Sequence, residues 1–60
     1  MFQVGVLGEF NVDDPWFATW EAALTFAYQK TEQYADTPFG IWREEGELVA
    51  IVYQGDVFKN

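Results

Sequence analysis

The sequence contains no cysteine, no histidine and no serine. Without cysteine no disulfide can staple the fold, and cysteine usage places no constraint on the redox compartment. Without cysteine and histidine a zinc site built from those ligands cannot form. Ser- and Cys-based triads are excluded, as is the commonest general base. Chemistry would have to rest on carboxylates, four threonines, three tyrosines and two lysines. A carboxylate pair could serve glycoside hydrolysis. Such a site needs a cleft that excludes water, and a chain of 60 residues barely builds a core. The sequence therefore reads as a non-enzyme with no cofactor.

Basic side chains are scarce as well: 3 against 10 acidic ones, a net charge of −7. Neutralising phosphates requires clustered lysine and arginine, so direct nucleic-acid binding is not expected. Anionic membranes would repel the chain. No apolar run approaches the roughly 20 residues of a membrane span. "MFQVGVLGEF" has no basic region ahead of its apolar stretch and does not read as a signal peptide. The expected location is the cytoplasm.

Hydrophobic residues make up 50% and aromatics 20% of the chain, which argues against disorder. One domain spanning residues 1–60 is expected. So small a domain buries only about 60% of the surface its unfolded chain exposes and usually needs a staple. Here that staple is an aromatic core or a partner chain.

"FQVGVLG" alternates Phe2, Val4 and Val6 with Gln3, Gly5 and Leu7, the pattern of a half-buried strand. Gly5 within it marks a bulge or a close backbone approach. "EFNVDD" reads as a connection. "DDPW" reads as a helix start, with Asp14 as cap and Pro15 in the first helical position. The helix is expected to run to about Gln33. Its core stripe would be Trp16, Trp20, Ala23, Leu24, Ala27 and Thr31, flanked by Phe17 and Tyr28. Phe26 falls off that stripe beside Thr19 and Lys30. Pro38 ends the helical stretch.

"FGIWREEGELVAIVYQGDVFK" reads as a hairpin. Gly46 suits a three-residue Glu44-Glu45-Gly46 loop that pairs Arg43 with Glu47. In that register Phe39, Ile41, Val49, Ile51 and Tyr53 share one face, and Trp42, Leu48, Ala50 and Val52 the other. "QGD" can then turn, and Val57-Phe58 can add a short fourth strand. The expected fold is α+β, a β-α-β-β domain with a three-stranded antiparallel sheet in the order 1-3-2 and one helix on one face. Both faces of that sheet are apolar, and one helix covers only one of them. An uncovered apolar face marks an interface. A homodimer is the simplest cover; the C-terminal "VFKN" folding back is another.

The acidic residues admit two bland readings and one functional one. Asp13 and Asp14 read as a helix cap rather than a cation site. Glu44, Glu45 and Glu47 lack the spacing of a calcium loop and read as a solvated turn. Net charge of this size promotes solubility, but it also steers the chain toward a partner with a basic surface. On that reading Asp13, Asp14, Glu44, Glu45 and Glu47 supply steering, and Phe26, Trp42 and Tyr53 supply anchors, since aromatics dominate interface hot spots. In size, acidity and β-α-β-β order the chain resembles a group of small phage-encoded inhibitors. These include DNA mimics that block uracil-DNA glycosylase, restriction enzymes or CRISPR effectors, and short proteins that bind host RNA polymerase. The resemblance implies a non-catalytic inhibitor of a nucleic-acid-handling protein, acting in the host cytoplasm. The alternative is an accessory subunit docked in a larger assembly.

Overall fold

The structure, a computed structural model, describes residues 1–9 and 11–59. Phe10, in the expected connection after the first strand, and Asn60, in the expected C-terminal cover, lie outside the described residues. The architecture is α+β: one helix packed on a five-stranded antiparallel sheet among the described residues. The elements in chain order are β1 (Phe2–Val6), β2 (Trp16–Phe17), α1 (Trp20–Gln33), β3 (Phe39–Arg43), β4 (Leu48–Tyr53) and β5 (Asp56–Lys59).

The sheet order is β2-β1-β3-β4-β5, so the expected 1-3-2 arrangement is corrected. The reason is the two-residue strand β2, too short to leave a signature in the sequence. It pairs antiparallel to β1, Phe2 opposite Phe17 and Gln3 opposite Trp16. The chain has thus reversed before the helix begins. The helix carries it from β2 over β1 to β3, which lies antiparallel to β1 on its other side. β3, β4 and β5 follow as a simple meander.

The same pairing moves the helix start. The Pro15 carbonyl accepts the Val4 N–H at 3.2 Å, and the Asp14 carbonyl accepts Gln3 Nε2 at 3.2 Å. Both carbonyls are therefore spent on β1 in extended chain. Asn11 Oδ1 accepts the Asp13 N–H at 2.9 Å, which makes "NVDD" a turn rather than a cap. The N-cap is Thr19, whose Oγ1 accepts the Ala22 N–H at 3.2 Å. The Thr19-to-Glu21 segment, a threonine followed by an acid in the first turn, is the sequence signal that a strong Asp-Pro pair overshadowed. The far end lies at Gln33, where the reading of the sequence put it.

Ala23, Ala27 and Thr31 are buried against the sheet, so the helix approaches closely. Beneath them Val4, Ile41 and Val52 are the largest fully buried side chains, joined by Phe39 and Ala50. Trp16, expected in the helical stripe, lies in β2 and points to the opposite sheet face. Phe17 turns toward the helix and packs on Phe26, ring centres 5.0 Å apart.

The hairpin loop forms as read. Gly46 adopts φ +95° and donates its N–H to the Arg43 carbonyl at 2.9 Å, and Arg43 N–H donates to the Glu47 carbonyl at 2.8 Å. The facial grouping is corrected, because the register shifts by one residue between Ile41 and Trp42. Trp42 pairs with Leu48, but Ile41 pairs with Ala50, so Val49 is the extra residue of a bulge. One slipped residue exchanges faces. Phe39, Ile41, Ala50 and Val52 therefore face the helix, and Trp42, Leu48, Ile51 and Tyr53 face away. Gln54 and Gly55, both at positive φ, form the two-residue turn into β5. Val57 to Lys59 extend the sheet in its plane rather than folding over its face. No helix among the described residues is long and apolar enough to cross a membrane.

Candidate interaction surface

The register assembles the helix-free face in rows. Trp16, Gln3, Trp42 and Leu48 stand side by side across β2, β1, β3 and β4. The next row is Gly5, Gly40, Ile51 and Phe58. Tyr53 and Asp56 follow at the far end of β4 and β5. The paired glycines leave a trough in the middle of this face, and the chain fills it itself. The Asp14 carboxylate occupies the space a side chain at Gly5 would need, and the six-membered ring of Trp42 occupies that at Gly40. The apolar second face is thus partly covered from within. Uncovered apolar surface persists at its two margins: Trp16 is 42% and Val12 74% exposed at one end, and Phe58 is 55% exposed at the other.

Between Trp16 and Trp42 runs an open groove of about 460 Å³ lined by Gln3, Val12, both indoles and the Arg43-to-Gly46 end of the hairpin, with Glu44 and Glu45. Of the residues singled out from sequence, Trp42, Glu44 and Glu45 are brought together here. Asp14 sits on the same face at Gly5, and Asp13 is exposed in the adjoining turn. Trp16 and Val12 were missed, because Trp16 matched the helical spacing and Val12 stood in a connection. The remaining candidates are dispersed. Tyr53 is half-buried two rows away. Phe26 lies on the helix side, half-buried between Phe17 and Lys30. Glu47 also turns to the helix side, bordering a cleft with Phe2, Trp20, Arg43, Val49 and Lys59.

The three cationic side chains are all engaged. Lys30 Nζ lies 5.3 Å from the Phe26 ring centre and 5.9 Å from that of Tyr34. Lys59 Nζ lies 5.6 Å from Trp20. Arg43 Nε lies 3.7 Å from Glu47 Oε1. Two of three cations thus sit over aromatic rings instead of carboxylates, and among the described residues only Glu47 and Glu44, which takes the N-terminal ammonium at 3.1 Å, carry an ion pair. The other carboxylates are left to project a negative field. Among the described residues no group of three or more acidic side chains is placed to hold a metal ion.

Comparison with protein-family models, with curated proteins and with solved structures finds no match to this chain. The surface must therefore be interpreted from its own chemistry.

Proposed function

We propose that this chain is a non-catalytic, acidic protein-binding module whose partner presents a basic surface. Its most specific form is an inhibitor of a nucleic-acid-handling protein, with carboxylates standing where phosphates would. The observation that supports the reading is the joining of Trp16, Trp42, Glu44 and Glu45 in one groove, with neither indole covered by a cation among the described residues. Aromatic anchors rimmed by charge are the composition of a binding hot spot. Open carboxylates accelerate encounter with a basic surface. A second copy is assigned the other margin of the same face, where Phe58 lies exposed on β5, the last strand of the sheet.

The test is surface plasmon resonance of the chain against purified DNA- and RNA-handling proteins, with duplex DNA as competitor. The expected result is a complex that duplex DNA displaces. The Glu44→Lys, Glu45→Lys double variant should associate more slowly by on the order of tenfold at low salt, with the difference shrinking as salt rises. Binding no stronger than that of an unrelated chain of equal net charge would refute the proposal.

A further inference from the structure

The groove between the two outer tryptophans has a chemistry of its own. Trp16 and Trp42 flank Gln3 on neighbouring strands, so their backbones stand two strand spacings apart, about 10 Å. Gln3 forms the floor and is only 7% exposed. Its Nε2 donates one hydrogen bond to the Asp14 carbonyl, and Oε1 is the amide's acceptor. Glu44 and Glu45 stand on one side and Val12 on the other. Glu44 already holds the N-terminal ammonium, whereas Glu45 has no ion pair among the described residues. Arg43 and Gly46 also border the groove, but β3 alternation turns the Arg43 side chain to the helix side, toward Glu47. The groove therefore offers indole faces and oxygen acceptors, and among the described residues no cation stands over either indole.

Elsewhere this chain answers the same arrangement with a cation. Lys59 stands over Trp20, and Lys30 stands over Phe26 and Tyr34. Among the described residues Trp16 and Trp42 have neither a ring nor a cation partner. We infer that this groove receives an arginine side chain of the protein partner, its guanidinium lying against the Trp16 and Trp42 indoles and donating to Glu45 and Gln3 Oε1. Arginine fits better than lysine for two reasons. Its planar group stacks on aromatic rings, and it is more weakly hydrated, so an apolar slot costs it less. Its fork of donors also reaches an amide oxygen and a carboxylate together.

This inference rests on the proposed binding function, and a small probe separates the two. The probe is the peptide acetyl-Gly-Arg-Gly-amide, titrated into the isotopically labelled full chain at low ionic strength. The indole N–H signals of the three tryptophans are followed by NMR, with Trp20 as internal control because Lys59 already stands over it. Trp16 and Trp42 signals should move saturably, Trp20 should stay in place, and added salt should weaken the effect. The same peptide with citrulline, the uncharged isostere, should move nothing. Glu45→Gln, a substitution in an exposed turn, should weaken binding several-fold, and Trp16→Ala should abolish the response at Trp42 with the circular dichroism spectrum retained. Equal movement of all three indoles, an equal response to citrulline, an unaltered Glu45→Gln variant, or a lysine peptide binding as well would each overturn the assignment. A chain that binds a basic partner but not the peptide overturns only this inference. A chain that takes the peptide but no basic partner overturns the proposed function.

Discussion

The two faces of one sheet are built on opposite rules. Toward the helix, Val4, Ile41, Ala50 and Val52 are buried, and the helix meets them with alanines so that the layers close. Away from the helix large and absent side chains stand together: one row holds Trp42 beside Gln3, and the next runs from Gly5 and Gly40 to Ile51 and Phe58. The first face is filled by a separate element. The second is filled, only in part, by a carboxylate and an indole folded down onto glycines. An apolar strand residue is thus no guide to which face will hold the core. What decides is where a second layer can be brought up against it.

Substitutions that strike each face in turn sharpen this contrast. Ile41→Ala, at the centre of the helix-covered face, should cost about 2–5 kcal/mol. A 60-residue domain has a total stability of roughly 3–9 kcal/mol, so urea denaturation should find this variant largely unfolded or close to it. Gly40→Ala, on the other face, places a methyl group 2.6 Å from the Trp42 ring. The ring must shift, at a cost of about 1–3 kcal/mol. Tryptophan emission should move to the red while the helical signal stays. If Gly40→Ala proved as damaging as Ile41→Ala, the trough would belong to the core and the contrast would fail. The smallest effect is expected for Phe58→Ala, within about 0.5 kcal/mol for the isolated chain. Its consequence should show instead in light scattering across a dilution series, as loss of the dimer assigned to that margin. A variant whose mass matches the parent at every concentration would remove that assignment.

Much of the fold was legible before the structure, and the failures have specific causes. The Glu44-Glu45-Gly46 loop, the Arg43–Glu47 pairing, the end of the helix and the turn after Tyr53 are local matters, decided by residues within a few positions of one another. Gly5 read as a bulge or a close backbone approach; the strand is regular there, and what approaches is the Asp14 side-chain carboxylate. The strand order was misread because β2 has two residues and no periodicity. The hairpin faces were misread because one bulge at Val49 inverts them, and nothing in "GELVAIVY" marks the bulge. The candidate surface divided along the same line. Glu44, Glu45 and Trp42, read from sequence as members of two separate sets, are close in the chain and line one groove. Phe26, Tyr53 and Glu47 were scattered by the fold, and Trp16 arrived from a segment that looked helical.

By itself the sequence determined an acidic α+β domain with one helix, a tight acidic hairpin and more apolar strand surface than one helix can cover, and it excluded cysteine, histidine and serine chemistry. These follow from composition, periodicity and turn residues, all of which act over short range. Only the tertiary structure decided that Asp14 and Pro15 would serve β1 instead of capping a helix, that the helix would begin at Thr19, and that Trp16 would join Trp42 across Gln3. Each of these depends on hydrogen bonds and packing between residues distant in the chain, where a favourable local cap yields to a strand pairing that satisfies backbone groups and sets Phe17 against Phe26 at once.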